Sequence, residues 1–278
     1  MSADLIFWYG LALKMALTAV VVVVTSLVVE RSGPFIGAMI AALPTAAGAA
    51  YAILAVEHPP EFIASSAVGS VAVSAAVSIF SAVYIVLAQR RGMVLSLSVS
   101  LAVWFAVAAL LRLIAWTPLT AVLLNVVVFG ITVPLSWSYR ESGPPKKFLR
   151  TRYDIPLRAI AAAVVVAIVT TASNRIGSFA SGMFAVFPII LCSSIVILHP
   201  RVGGKATASM LAHAQIAFVG LSLGFLALHY TAVPLGSWWA FAVGLSICIG
   251  WSSVLMLLRM RKMKRAAPQP MASPQASP

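Results

Sequence analysis

The chain has few charged residues and very few acidic ones. Of its 278 residues, 9% are charged and only six are Asp or Glu, while 62% are hydrophobic. Its mean hydropathy is +1.03. A water-soluble domain of this size needs more polar residues than this to cover its surface. The composition therefore excludes a soluble globular protein and predicts an integral membrane protein.

The sequence also lacks the residue patterns of the common catalytic and metal sites. There is no phosphate-binding loop, no zinc-type His/Glu cluster and no nucleophile elbow. The two cysteines, Cys192 and Cys248, lie in apolar segments without metal-ligand spacing, so we interpret them as small buried residues. No acidic residue lies deep in an apolar run, which argues against coupling schemes built on buried carboxylates. We expect neither an enzyme nor a bound cofactor or metal.

Long apolar runs fill most of the chain. A helix needs about 20 such residues to cross a ~30 Å hydrocarbon core. The runs do not alternate as barrel strands do, so we predict an all-α polytopic fold with about nine transmembrane helices, separated by Pro and Gly. The predicted spans are 5–29, 34–56, 62–87, 93–116, 118–139, 156–172, 177–198, 206–229 and 235–258.

The basic residues predict the orientation. With nine spans and the carboxyl terminus in the cytoplasm, 16 of the 19 basic residues lie on the cytoplasmic side. This skew follows the positive-inside rule and puts the amino terminus outside. The net charge of +13 then sets topology and attracts the anionic inner leaflet, so we expect the lipid bilayer as a partner and no nucleic acid.

Two segments of the chain match each other without a gap at an offset of 144. They share eight identities in 24 positions: Arg31/Arg175, Gly33/Gly177, Phe35/Phe179, Met39/Met183, Ala41/Ala185, Pro44/Pro188, Ile53/Ile197 and Leu54/Leu198. The matching spans, two and seven, are five spans apart. An odd offset inverts one copy relative to the other, so the sequence predicts two inverted-topology repeats, which is typical of secondary transporters.

The repeat divides the chain into four parts. Residues 1–139 form the first membrane repeat with five spans, and residues 140–155 a cytoplasmic basic linker. Residues 156–258 form the second, inverted repeat with four spans, and residues 259–278 a basic tail that ends in a Pro, Ala, Ser and Gln-rich segment. The second repeat is one span short. Either span four or span five has no counterpart.

Each repeat carries a proline near the middle of a span, Pro44 in one and Pro188 in the other. A proline there removes a hydrogen bond and bends or breaks the helix, which frees the carbonyl four residues earlier. Thr45 could bond the freed group in the first copy, whereas Ile189 cannot in the second. Two proline-broken helices could expose backbone dipoles to a substrate. The alternative is a pair of ordinary kinks.

Polar side chains inside the spans give further candidates for a solute site. His213 is the leading one because its pKa of ~6.5 suits proton coupling, and Gln215 and Asn125 could bind substrate or bond to other helices. Arg31 and Arg175 precede the proline helices on opposite faces, where they could guard entrances for anions or anchor at headgroups. The alternative for each of these residues is helix packing.

The proline helices resemble the small bacterial inner-membrane proteins of the GlpM type. The first copy has Ala42-Leu43-Pro44-Thr45, a charged turn at residues 57–61 and Gly69; the second has Phe187-Pro188, a turn at 200–205, and His213 where Gly would be expected. The resemblance covers about 40 residues in each half. It implies a duplicated unit in a bacterial inner membrane and little about activity.

Together these observations favour a secondary transporter or facilitator. We expect alternating access for a small polar or anionic solute, bound near Pro44, Thr45, Pro188, His213, Gln215 and Asn125. The alternative is a non-transporting structural or assembly protein whose repeats only build a packed bundle. Assembly into a homo-oligomer is left open.

Overall fold

The computed structural model describes residues 3–31, 45–140 and 153–266. Every regular element in these ranges is a helix. Pro44, most of the predicted linker 140–155 and the end of the predicted tail lie outside the described residues. The helices are α1 (Ala3–Arg31), α2 (Thr45–Glu57), α3 (Pro60–Leu87), α4 (Met93–Arg112), α5 (Pro118–Trp137), α6 (Asp154–Ala185), α7 (Ile189–Val202), α8 (Gly204–Ala214), α9 (Ala217–Leu235) and α10 (Ser237–Ala266).

The helices of the described ranges include six that are long and apolar enough to cross a bilayer. A seventh is formed if the segments Arg175–Ala185 and Ile189–Val202, which are bent by 41° at a short break, count as one span. Two shorter apolar helices, Trp8–Val24 and Ala46–Glu57, accompany them. This confirms an all-helical, multi-pass membrane protein.

Helix α3 lies at the centre of the bundle. It packs against α4, α5, α6, α8 and α9, and most of its residues are buried. Its sequence consists largely of Ala, Ser, Gly and Val, and such small side chains let neighbouring helices approach closely on all sides. By contrast, most of the apolar stretch of α10 is exposed, as expected for a helix at the lipid boundary.

Contacts at its two ends show that α3 runs antiparallel to the pair α8–α9. Near the start of α3, His229 of α9 donates from Nδ1 to the carbonyl of Ala64 at 2.8 Å. Just beyond its end, the backbone of Ala88 packs directly against Gly204, the first residue of α8. The start of each unit therefore meets the end of the other.

Ion pairs fix the ends of other helices. Asp154, at the start of α6, pairs with Arg201, at the end of α7, at 2.9 Å. The chain from 154 to 202 thus leaves one end of the bundle and returns to it. Lys14 of α1 forms an ion pair with Glu57 at the end of α2.

Helix starts recur at the offset of the sequence repeat. Residues 45, 60 and 93 begin α2, α3 and α4, and residues 189, 204 and 237 begin α7, α8 and α10. Each pair is separated by 144 positions. The position that matches the start of α5 is residue 262, which lies inside α10. Among the described residues, no helix therefore begins at the position that matches the start of α5.

The boundary predicted between spans six and seven, at residues 172–177, agrees with a kink inside α6. Gly177 has the non-helical angles φ +81° and ψ 170°, and the apolar segments Asp154–Ser173 and Arg175–Ala185 meet close to it. Only glycine adopts this conformation readily. A second break lies at residues 186–188, before α7 begins.

Candidate functional site

A line of buried serines runs along α3. Ser66, Ser70, Ser74 and Ser78 are four residues apart, Ser81 follows, and all five are at most 1% exposed. Residues four apart in a helix lie on one face, so their hydroxyls form a polar seam inside an apolar bundle. We call these five residues the serine seam. Buried hydroxyls need hydrogen-bond partners. Ser70, Ser74 and Ser78 have them, whereas the hydroxyls of Ser66 and Ser81 have none among the described residues.

The first part of the seam contacts the bent part of α6 through glycine. A Cβ on Gly182 would overlap the carbonyl of Ser66, and one on Gly69 would overlap the carbonyl of Phe179. The two backbones are therefore in direct contact. Ser70 donates from its hydroxyl to the carbonyl of Gly182 at 2.8 Å.

Ser70 also joins a third helix to this crossing. Its Oγ accepts from the hydroxyl of Tyr51 in α2 at 2.6 Å, since the one hydrogen of the serine hydroxyl is used in the bond to Gly182. The next residue of the seam, Ser74, donates to the carbonyl of Ser70 at 2.8 Å. A single hydroxyl thus connects α2, α3 and α6.

Gln215 binds the other end of the seam. It is fully buried and lies at the junction of α8 and α9. Its Nε2 donates to the carbonyl of Ser78 at 3.1 Å and to the hydroxyl of Ser136 at 3.3 Å, and its Oε1 accepts from Ser78 Oγ at 2.8 Å. Ser78 also lies 2.6 Å from the hydroxyl of Thr132 in α5. One amide therefore joins α3, α5 and the α8–α9 junction.

Asn125 of α5 makes a second, parallel link. Its Nδ2 donates to the carbonyl of Val71 in α3 at 2.7 Å and to the hydroxyl of Ser222 in α9 at 3.0 Å. The side chain is 4% exposed, and its Oδ1 has no hydrogen-bond partner among the described residues. A buried amide oxygen without a partner is costly, so this atom marks a place where a donor is missing.

The two links are related by the repeat. Val71 and Gln215 are 144 positions apart, and so are Ser78 and Ser222. In the structure the two pairs are linked to each other. Gln215 bonds to Ser78, and Asn125 bonds to both Val71 and Ser222. The two links thus involve both pairs of residues that are 144 positions apart.

At the break before α7, a backbone hydrogen bond within the break itself uses the carbonyl of Phe184. Pro188 is buried and precedes the first residue of α7. We expected the carbonyl of Phe184 to need an outside partner, but it accepts from the N–H of Phe187 at 3.0 Å in a tight turn. Phe187 packs edge-on against Trp104, whose Nε1 is buried without a partner among the described residues.

His213 does not join this network. It is exposed, and its Nδ1 donates to the carbonyl of Ser209 in its own helix at 2.8 Å. Arg175 is also exposed. Pro44 lies outside the described residues, as do the side chains of Arg31 and Thr45. Of the predicted site residues, the structure brings Asn125 and Gln215 to one region and places Pro188 beside Trp104.

Sequence reasoning missed the serine seam and Tyr51. The signal for the seam was present, because Ser66, Ser70, Ser74 and Ser78 repeat every four residues. Tyr51 carries no such signal, since a lone tyrosine in an apolar helix is typical of packing or of a membrane interface. Among the described residues, no three His, Cys, Asp or Glu side chains come together as a metal site.

No protein-family model, curated protein or solved structure matches this chain. The resemblance to GlpM-type proteins stays a prediction.

One histidine with a shifted pKa lies in the turn between α2 and α3. The Nε2 of His58 lies 2.9 Å from Ser173 Oγ, and its ring stacks on Phe62. Partial burial lowers the pKa of His58, and the charge of Lys14 acts in the same direction, while Glu57 opposes them. The fold therefore favours neutral His58.

We predict that stability decreases as the pH falls below about 6.5, the ordinary pKa of histidine. The unfolded chain binds this proton more readily than the folded one, so protonation favours unfolding. The thermal midpoint of the purified protein should fall between pH 7.5 and 5.5, and His58→Asn should reduce that fall. His213→Asn, at an exposed site, should leave it unchanged. Equal falls in the protein and in His58→Asn would contradict the prediction.

Proposed function

We propose that the chain is a secondary transporter or facilitator for a small polar or anionic solute. It would work by alternating access between two inverted repeats in a bacterial inner membrane. The observation that carries the proposal is the antiparallel, reciprocal crossing of α3 with α8–α9. Across it, Ser78 bonds to Gln215, the position that matches Val71, and Asn125 joins Val71 to Ser222, the position that matches Ser78.

The recurrence of helix starts supports the same proposal. Nine spans result if α8 and α9 form one span, the chain from 154 to 202 forms two, and the span predicted at 34–56 is counted. Ion pairing of Asp154 with Arg201 agrees with the last of these, since both residues lie at one end of the bundle. Inverted repeats can exchange conformations, and this exchange opens a central site to one side of the membrane and then to the other.

The orientation can be tested with reporter fusions. We expect a reporter after Pro145 and one at the carboxyl terminus to report the cytoplasm, because 16 of the 19 basic residues then lie on that side. A fusion at the turn of residues 57–61 should report the outside. An outside signal from either of the first two positions would remove the inversion.

The polar region between α3, α5 and α9 is the proposed solute site. The unpaired Oδ1 of Asn125 is an acceptor, so it favours a solute with a hydroxyl or N–H donor. The bend at residues 186–188 and the helix junction at residue 215 are the places where the surrounding backbone can rearrange. This site contains fewer residues than the site we expected from the sequence, since His213 does not face it.

Ligand-dependent stability tests the proposal. The purified protein is heated with a broad panel of metabolites at pH 5.5 and 7.5, because a ligand that binds the folded state raises the midpoint by mass action. We expect a shift with at least one hydroxyl- or amine-bearing compound, its loss in Asn125→Leu, and its retention in Gly130→Leu, which alters an exposed position on the same helix. The compound would then be tested for uptake into liposomes.

One observation favours the alternative, a structural or assembly protein. The amide of Gln215 uses both its Nε2 and its Oε1 in bonds within the protein, as a residue that only joins helices would. A folded protein whose midpoint shifts with no compound of the panel would favour this alternative over transport.

A further inference from the structure

An apolar groove lies between α2, α9 and α10. Its volume is about 250 Å³, and its lining includes Gly48, Tyr51, Phe225, Phe241, Leu245 and Cys248. Tyr51 presents only its ring to the groove, because its hydroxyl is bonded to Ser70. The groove therefore offers aliphatic, aromatic and sulfur contacts to an occupant.

Two residues that line the groove are smaller than the residues 144 positions before them. Trp104 and Cys248 are 144 positions apart, in α4 and α10, whose starts share that offset. The indole of Trp104 is fully buried and packs against Phe187 with ring centroids 4.9 Å apart. A thiol at position 248 fills much less space. Phe80 of the first half likewise corresponds to Gly224, which also lines the groove.

The groove opens on a surface that faces lipid. Gly48, Leu245 and Trp238 line it and are exposed, and α9 and α10 belong to helices apolar enough to cross a membrane. Around such helices the medium is hydrocarbon. Water has no polar partners in a groove of this composition, and an empty groove loses dispersion contacts.

We propose that this groove binds one acyl chain of a bilayer phospholipid. The lipid-facing surface of α10 continues into the groove, so a chain can enter from the bilayer without leaving hydrocarbon. Binding there comes from close packing against Tyr51, Phe225 and Phe241. The proposal does not depend on transport, since a structural protein with this groove would hold a lipid equally well.

Two matched substitutions test the site. Gly48 and Gly130 both lie in helices, and a Cβ built at either meets nothing within 4 Å. Gly48→Leu places a side chain in the groove, whereas Gly130→Leu places the same side chain on α5, away from it. The full-length protein is extracted in mild detergent from membranes of defined phospholipid composition. Native mass spectrometry then counts the phospholipids that stay bound.

We expect one retained phospholipid on the wild-type protein and on Gly130→Leu, and its loss from Gly48→Leu. Retention of the same number by Gly48→Leu would overturn the proposal. A wild-type protein without bound lipid would also overturn it. So would a dimer, seen by its mass and lost in Gly48→Leu, because the groove would then bind a second copy of the chain.

A stability measurement covers the case in which Gly48→Leu folds poorly. In delipidated detergent a side chain that fills a vacant groove should raise the thermal midpoint. If Gly48→Leu raises the thermal midpoint more than Gly130→Leu does, no other part of this chain fills the groove, which supports the proposal. A lowered midpoint means that another part of this chain fills the groove, and the proposal fails.

Discussion

Replacement of Gly182 by leucine should destabilise the fold more than any other single substitution considered for this protein. A Cβ at this position would overlap the carbonyl oxygen of Ser66, which belongs to the backbone of the central helix and cannot rotate away. The two helices would have to separate, which would also break the bond from Ser70 to the Gly182 carbonyl. Overpacking of a core costs 1–3 kcal/mol in general, and against backbone we expect about 3 kcal/mol or more.

The measurement is the yield of folded, monodisperse protein together with its thermal midpoint. Gly130→Leu is the matched control, since its Cβ meets nothing within 4 Å, and it should express and melt like the wild type. Gly69→Ala acts on the same crossing through the carbonyl of Phe179, so its effect should not add to that of Gly182→Leu. A midpoint for Gly182→Leu equal to the wild type would show that α3 and α6 are not in backbone contact.

Gln215→Leu should have the second largest effect. The substitution removes three hydrogen bonds, two to Ser78 and one to Ser136. Bonds between membrane helices contribute about 0.6 kcal/mol each on average and up to ~1.7 kcal/mol. We therefore expect a loss of about 2 kcal/mol, partly offset because leucine has no polar atoms to bury.

His213→Leu is the matched control for Gln215→Leu. It lies two residues away, is exposed, and bonds only to a carbonyl of its own helix. Reversible unfolding in denaturant should therefore separate the two variants, with little change for His213→Leu. If His213→Leu is the more damaging, the packing of α8 against α3 and α5 differs from that described here.

Three of the spans were predictable from length and hydropathy alone. The predicted spans 62–87, 93–116 and 118–139 agree with α3, α4 and α5 to within a few residues, and Pro60 and Pro118 mark helix starts as expected. The kink at Gly177 lies at the predicted boundary between spans six and seven. A glycine between two apolar runs is compatible with a loop or a kink, and tertiary packing decides between them.

The polar site was only partly predictable. His213 and Gln215 are two residues apart and therefore face different directions, but nothing in their local sequence shows which direction leads into the bundle. We ranked His213 first on its chemistry, and the structure places Gln215 in the core instead. The serine seam was overlooked because a single serine in a membrane helix can bond its own backbone, as Ser74 does. The importance of Ser70 and Ser78 depends on distant residues.

Synthesis proceeds from the amino terminus, and this gives α5 a particular part in assembly. When α5 enters the membrane, Ser222 and Gln215 have not yet been made. The hydroxyl of Thr132 can then use the carbonyl of Val128 in its own helix, whereas the amide of Asn125 reaches the carbonyl of Val71 in α3. The bond between α5 and α3 therefore needs only residues of the first half of the chain. The bonds of α5 to Ser222 and Gln215 need residues that are made later.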